Sequence, residues 1–187
     1  RVVIVTGAAQ GIGEATARAL ANAGRLMKAG AHVVKLEGGE PMAETVRFLV
    51  ERGIPVCAHL GLTPQSVHQL GGYRVQGREA GEADRIQREA AVLEQAGASL
   101  LVLEAVPSSL AKGVTQKLSI PTIGIGAGID CDGQILVLQD MIGLYPHPSP
   151  KFSKNFMQGA DSLDEAVKNY VAAVKKREFP GPEHSYT

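Results

Sequence analysis

The chain has 187 residues, of which 44% are hydrophobic and 20% are charged, and its 19 Lys and Arg balance 19 Asp and Glu. This length suits one domain, the apolar content excludes a wholly disordered chain, and the zero net charge argues against nucleic acid or a membrane surface as a partner. No apolar run reaches the roughly 18 residues of a membrane span, no signal segment is evident, and two cysteines, Cys57 and Cys131, form no disulfide framework, as is typical of a cytoplasmic protein.

The first third of the chain alternates strand and helix patterns. In chain order, hydrophobic periodicity predicts a strand, a helix, a strand, a helix and a strand, over residues 2–6, 12–30, 32–37, 42–50 and 55–59. Thr63 and Pro64 then predict a helix start, with Thr63 as the cap and Pro64 at the first helical position.

The middle of the chain begins with a predicted loop. Residues 71–83 contain four glycines and two arginines, which favours a mobile connection. A helix over residues 86–97 and a strand over residues 99–104 follow, and Ser108 or Ser109 is the expected cap of a short helix.

Two further strands and one helix complete the predicted elements. The strands are expected over residues 121–126 and 134–139. Ser162 and Glu165 have the spacing of a capping box, which predicts the start of a final helix over residues 163–174.

The strands are near-continuous apolar runs, which is typical of strands buried on both faces and predicts a parallel sheet covered by helices. The stretches AGAHVVKLE and AGASLLVLE repeat one pattern, with Glu37 and Glu104 at the carboxyl ends of their strands. Such α/β units predict either an incomplete (βα)8 barrel-like sheet of about six units or a Rossmann-like open doubly wound sheet. In both arrangements active sites form at the carboxyl ends of the strands, and that edge carries Lys35, Glu37, His59 and Glu104.

Residues 1–21, RVVIVTGAAQGIGEATARALA, resemble the opening of the short-chain dehydrogenases. Gly7, Gly11, Ile12 and Gly13 would permit a tight turn and the close approach of an NAD(P) pyrophosphate at a helix N-terminus. Alternatively, these glycines only allow close packing of a strand and a helix. The family's Tyr followed four residues later by Lys is absent.

Residues from about 22 to 187 resemble ketopantoate hydroxymethyltransferase. The matching stretches follow one another in order: NAGRLMKAGAHVVKLEGGE, IPVCAHLGLTPQSVHQLGGYRVQGR, AGASLLVLEAVP, IPTIGIGAG, CDGQILVLQDM, PKFSKNF and FPGPEHSYT. The resemblance implies a TIM barrel transferase of pantothenate biosynthesis that needs Mg²⁺ and moves a one-carbon unit from methylenetetrahydrofolate to the 2-oxoacid 3-methyl-2-oxobutanoate.

The same resemblance implies roles for four residues. Glu104 is the candidate general base, Lys35 would bind the carboxylate of the oxoacid, His59 would line the substrate site, and Glu37 would bind the metal. Without the resemblance, Lys35 and Glu37 read as a solvated strand end, His59 as a structural histidine, and Glu104 as a capping or ion-paired acid. Glu37 is also placed where an acid could hold a ribose.

The resemblance to two families predicts a chimera that folds as a single α/β domain over residues 1–187. Residues 1–21 would form the dehydrogenase-like unit and residues 22–187 the C-terminal two-thirds of a hydroxymethyltransferase-type barrel. The family's two metal-binding Asp have no counterpart, so impaired activity is expected. The alternative is a chimeric scaffold with a dinucleotide-binding glycine loop and no turnover. Open sheet edges favour a homo-oligomer.

Overall fold

The computed structural model describes residues 12–144 and 149–187. Five parallel strands form one sheet in the order β1-β2-β3-β4-β5. The strands are β1 (Val34–Glu37), β2 (Val56–Gly61), β3 (Leu100–Glu104), β4 (Thr122–Ile125) and β5 (Gly133–Gln134). The helices are α1 (Ile12–Lys28), α2 (Ala43–Val50), α3 (Ala80–Gln95), α4 (Ser108–Lys117), α5 (Leu138–Met141) and α6 (Leu163–Lys175).

The strands follow one another across the sheet in sequence order. No reversal of strand order occurs among these five strands, and the described part of the sheet is open, with β1 and β5 at its edges. The expected incomplete barrel-like α/β fold is confirmed, and the described strands give no support to the doubly wound alternative. The strand expected over residues 2–6 and its pairing beside β1 lie outside the described residues.

Two apolar layers lie on opposite faces of the sheet. On one face, alternate strand residues pack against α2, α3 and α4 in a core that includes Leu49, Val56, Leu93, Leu103 and Val114. The opposite face carries a smaller apolar cluster of Val102, Ile125 and Phe152. Because both faces are covered, the strands are apolar at successive positions, as their sequence indicated.

The strand expected over residues 134–139 is wrong in its extent. Only Gly133 and Gln134 pair with β4, and the chain then forms the short helix α5. The physical reason is the length of the neighbouring strand β4. This strand ends at Ile125, and the chain then turns at Gly126, which has φ +64 and lies against the Phe152 side chain. No partner backbone therefore continues alongside β5.

Helix starts follow the predicted side-chain caps in one case of three. Ser162 Oγ accepts a hydrogen bond of 3.2 Å from the N–H of Glu165, which confirms the cap of α6. The carboxylate of Glu165 accepts instead from Asp161 N–H at 2.8 Å, one residue before the position that a capping box requires.

Of the other two predicted caps, Thr63 is confirmed in position only, and the serine cap of α4 is wrong. Thr63 occupies the N-cap position and Pro64 the first helical position, as predicted, but of a short 3₁₀ turn, Pro64–Ser66, and Thr63 makes no side-chain cap bond. Helix α4 has Pro107 at its cap position, so neither Ser108 nor Ser109 serves there. The C-terminal segment takes part of this role, because Ser108 N–H donates to Tyr186 O at 2.9 Å. Within the described ranges, no helix is both long and apolar enough to cross a membrane.

Candidate functional site

Three neighbouring strands bring the four predicted side chains together at the carboxyl edge of the sheet. Lys35 and Glu37 are two residues apart on β1 and therefore share a face. In the parallel register Glu37 lies opposite His59 of β2, and Gly61 lies opposite Glu104 of β3. The sequential strand order thus places His59 between the two glutamates.

The four side chains form a continuous polar cluster. Lys35 Nζ lies 3.2 Å from Glu37 Oε1 and 3.0 Å from His59 Nδ1. His59 Nδ1 is 3.7 Å from Glu37 Oε1, and His59 Nε2 is 3.2 Å from Glu104 Oε2. The cluster therefore alternates acidic and basic groups from β1 to β3.

Glu37 is held as a carboxylate in a nearly buried position. Its side chain is 4% exposed, and its second oxygen accepts the backbone N–H of Gln65 at 3.2 Å. Burial by itself raises the pKa of Glu37, but the close contact with His59, the hydrogen bond from Gln65 N–H and the charges of His59 and Lys35 outweigh it and lower the pKa to about 2. Glu37 is thus negatively charged at any physiological pH.

His59 is the most enclosed member of the cluster, with 1% of its side chain exposed. Burial lowers its pKa, but the contacts with Glu104 and Glu37 outweigh both burial and the repulsion from Lys35, so the pKa is raised. The approach of Glu104 to Nε2 does not meet hydrogen-bond geometry, and Nε2 has no hydrogen-bond partner in the described part of the chain. This atom is the unsatisfied polar group of the site.

An apolar wall lies beside the polar cluster on the same face of the sheet. Val102 precedes Glu104 by two positions on β3, and Ile125 lies opposite Glu104 on β4. Both pack with Phe152. Cys57, two residues before His59, is partly buried against this cluster, and burial raises the pKa of its thiol to about 11. Cys57 and Cys131 are both free thiols, as expected.

Sequence reasoning missed two contributors to the site. The Gln65 N–H, which stabilises Glu37, belongs to the turn that begins at Pro64, and only that Pro signalled a local turn. The apolar wall required knowledge of which strand residues lie opposite Glu104. Phe152 in particular is 48 positions further along the chain and carries no local signal.

The described residues do not by themselves fit a magnesium site. Mg²⁺ prefers several carboxylate or water oxygens, whereas one oxygen of Glu37 faces Lys35 and the other accepts a backbone N–H. Across residues 12–144 and 149–187, no group of three or more His, Cys, Asp or Glu side chains is arranged to hold a metal. The metal role of Glu37 therefore stays a prediction.

The predicted dinucleotide loop is described only in part. Gly7 and Gly11 lie outside the described residues. Ile12 and Gly13 are the first described residues, and both lie in α1. Residues 12–28 are helical, as the sequence predicts, while the loop before them and NAD(P) binding stay predictions.

Comparison with known proteins shows which family this sequence matches. The sequence model described as ketopantoate hydroxymethyltransferase matches residues 3–182. The protein 3-methyl-2-oxobutanoate hydroxymethyltransferase of Azoarcus sp. (strain BH72) is 64% identical over 92% of this chain, and the protein of that name from Thiobacillus denitrificans is 65% identical over 90%. In both cases the chain spans 64% of the relative's length.

Solved structures of lower sequence identity share the fold. Rhizobium etli pyruvate carboxylase T882A matches with a TM-score of 0.52 and 14% identity, over 93% of this chain and 19% of that one. The carboxyl transferase domain of the same organism's enzyme, solved with 3-hydroxypyruvate, gives 0.50 and 13%, over 87% of this chain and 32% of that one. The extent of the family match and the high identity of the curated relatives lead to one conclusion: the chain belongs to the ketopantoate hydroxymethyltransferase family.

Proposed function

We propose that this chain supplies the oxoacid-binding and proton-abstracting part of a 3-methyl-2-oxobutanoate hydroxymethyltransferase, an enzyme of pantothenate biosynthesis. The observation that carries the proposal is the buried cluster in which His59 lies within 3.7 Å of Glu37 and 3.2 Å of Glu104, at the carboxyl edge of a parallel sheet. Relatives that carry this enzyme name are 61–65% identical to the chain.

The proposed chemistry begins with binding of the 2-oxoacid. The ammonium of Lys35, 15% exposed, is the cation that the substrate carboxylate would meet. The ring nitrogen Nε2 of His59 is buried beside Glu104 without a hydrogen-bond partner and would donate to an oxygen of the substrate. The apolar wall of Val102, Ile125 and Phe152 would receive the branched alkyl group.

Glu104 is the proposed general base. Its carboxylate would take the proton from C3 of the oxoacid, and the electron pair of the broken C–H bond would pass into an enolate whose charge rests on the former carbonyl oxygen. Positive charge nearby stabilises such an oxygen. The one-carbon donor, methylenetetrahydrofolate by resemblance, would supply the carbon that the enolate attacks.

Turnover by these 187 residues is proposed to be slow. The family resemblance implies Mg²⁺, yet the described cluster offers Glu37 as a candidate ligand with both oxygens already engaged. The requirement for Mg²⁺ and the reduced activity are both part of the proposal, and no step above depends on the metal.

Exchange of the C3 hydrogen of 3-methyl-2-oxobutanoate with deuterated water, followed by proton NMR, tests the proposal without the folate. Glu104→Gln removes the base and should slow exchange by about 100-fold. Glu82→Gln, which alters a carboxylate paired with Arg85 on the outer surface of α3, is the matched control and should exchange at the wild-type rate. Equal rates in the wild type and Glu104→Gln would refute the assignment.

A dehydrogenase-like, chimeric N-terminus is a second proposal, supported by the helical conformation of residues 12–28, where the resemblance implies the helix of a strand–loop–helix unit. Titration with NAD, repeated with Gly13→Val, decides it: binding lost in the variant supports a dinucleotide loop, and no binding by the wild type rejects one. The family match from residue 3 onward overlaps this segment, so a chimeric origin rests on the NAD result.

A cytoplasmic location, a single domain and self-association into a homo-oligomer complete the proposal. Among the described residues, β1 and β5 each have one neighbouring strand, which leaves backbone groups unpaired at both edges of the sheet.

A further inference from the structure

The residue that follows Glu104 has an unusual backbone conformation. Ala105 has φ 47, in the left-handed region that non-glycine residues seldom occupy, and it is buried, with 3% exposed. For an L-residue this conformation costs about 1 kcal/mol. Such strain persists only where surrounding contacts hold it, and the contacts around Ala105 can be identified.

Backbone hydrogen bonds from three different segments hold Glu104 and Ala105 in place. Leu62 N–H, just beyond β2, donates to Glu104 O at 2.8 Å, and Ala105 N–H donates to Ile125 O of β4 at 2.9 Å. The third bond comes from the loop before α3, where Gln76 N–H donates to Ala105 O at 2.9 Å. The first two bonds continue the pairing of the strands, as does the bond from Val106 N–H to Gly126 O at 3.2 Å, whereas the bond from Gln76 comes from a loop outside the sheet.

Gln76 is itself fixed in place. Only 6% of the residue is exposed, and its side-chain Nε2 donates to Arg74 O at 3.0 Å. Gly77, the next residue, packs so closely that a Cβ there would lie 2.5 Å from Leu110 and 3.1 Å from Ile86. The loop is thus anchored against α3 and α4 at the point where it bonds to Ala105.

We propose that Gln76 is a positioning residue, whose backbone N–H holds Ala105 in its left-handed conformation and thereby keeps the Glu104 carboxylate directed at His59. This inference deepens, and rests on, the proposed role of Glu104 as the base. It couples the glycine-rich loop before α3 to the catalytic carboxylate, so that loss of one loop hydrogen bond lets Ala105 relax to negative φ and turns Glu104 away.

The coupling between Gln76 and Glu104 is tested in two steps. The first removes the Gln76 N–H, and the second replaces Ala105 by glycine, which needs no restraint to adopt positive φ. Gln76→Pro lacks the N–H, and its C3 exchange is compared with Gln76→Ala, which lacks the same side chain but keeps the N–H. Gln76→Pro should lower the maximal exchange rate about tenfold further, with the KM for oxoacid unchanged within error. Adding Ala105→Gly to Gln76→Pro should restore the rate, because glycine adopts positive φ without the restraint.

A merely structural bond would give a different result. In that case Gln76→Pro would lose thermal stability, Ala105→Gly would not restore exchange, and the inference would be overturned. Equal rates in Gln76→Pro and Gln76→Ala would overturn it as well.

Amide hydrogen exchange tests the coupling between Gln76 and Ala105 independently. It applies even if Gln76→Pro does not fold or the wild type does not exchange the C3 hydrogen of the oxoacid. Strain at Ala105 favours opening of the Gln76–Ala105 bond, so Ala105→Gly should slow exchange of the Gln76 amide by about fivefold. Arg177→Gly is the matched control, because Arg177 has φ 57 at the end of α6. Unchanged protection of Gln76 in Ala105→Gly contradicts the coupling, whereas absent C3 exchange in the wild type contradicts only the proposed function.

Discussion

Glu37 and His59 contribute to the stability of the protein with opposite pH dependences. The pKa of Glu37 is lowered from 4.5 to about 2, so its contribution to stability is present above pH 4.5 and is lost as the pH falls from there toward 2. The pKa of His59 is raised above 6.5. Its contribution is therefore fully present below pH 6.5 and is lost as the pH rises through the raised pKa.

Glu37→Gln is predicted to remove the acid-side part of this dependence. At pH 6 the variant should be less stable by about 3 kcal/mol, because Lys35 and His59 lose a buried anionic partner. The difference should shrink steadily below pH 4.5 and nearly vanish by pH 2, where the wild-type carboxylate is itself protonated. Urea unfolding of both proteins between pH 2 and 6 measures it. A difference independent of pH would show that Glu37 is not a buried anion.

At the scale of elements, the end of β2 must approach the end of β3 without a side chain between them. Gly61 has φ +90, and a Cβ there would lie 2.2 Å from Glu104 O and 2.8 Å from Val106 Cγ1. The strand that carries His59 can therefore bond to the strand that carries Glu104 only if this position is glycine.

Gly61→Ala is predicted to destabilise the protein by about 3 kcal/mol or more, through a backbone clash added to the strain of positive φ. Gly53→Ala is the matched control, because Gly53 has φ +76 with no neighbouring atom within 4 Å of an added Cβ. That variant should lose only about 1 kcal/mol. Chemical denaturation measures the free energy of unfolding of both variants. Equal losses of stability would mean that the close approach of β2 and β3 at Gly61 does not contribute to the effect.

Helix capping gives a second prediction for the elements. Ser162→Ala removes the hydrogen bond to Glu165 N–H and should cost about 1 kcal/mol. Ser109→Ala should change the free energy of unfolding by less than about 0.5 kcal/mol, because Ser109 is exposed and does not cap α4. Thermal or urea unfolding separates the two variants. A larger loss of stability in Ser109→Ala would show that Ser109 caps α4 after all.

At the scale of the whole molecule, α6 leaves an apolar stripe uncovered among the described residues. Leu163, Val167 and Val171 recur every fourth residue and are 38–49% exposed. The first turn of α6 is acidic, with Asp164 and Glu165, and the last turn carries Lys175. Two copies of α6 packed antiparallel would bury the stripe and bring opposite charges together, which favours a second copy of this chain as the partner.

Val167→Glu is predicted to weaken self-association at least about tenfold, because a carboxylate would be buried in the stripe. Asn169→Glu places the same charge on the polar side of α6, where it should have little effect. Sedimentation velocity over a range of concentrations measures both. A wild type that stays monomeric, or an equal response of the two variants, would reject α6 as the contact.

Much of this architecture could be predicted from local pattern. Apolar strand runs indicated a parallel sheet, and the chain positions of Lys35, Glu37, His59 and Glu104 indicated a shared edge, because parallel strands end together. The extent of β5 and the cap of α4 could not be predicted, since each depends on a distant partner: the end of β4 for one and Tyr186 for the other.

The sequence by itself determined the class of sheet, because hydrophobic periodicity is a local property of a chain, and its resemblance to a known family indicated the family and the candidate residues. Only the tertiary structure decided how these residues interact. The lowered pKa of Glu37, the unsatisfied Nε2 of His59 and the left-handed Ala105 arise from contacts between β1, β2, β3 and the loop at Gln76. Burial and electrostatic coupling depend on what lies across the sheet, and that neighbour is set by strand register rather than by position in the chain.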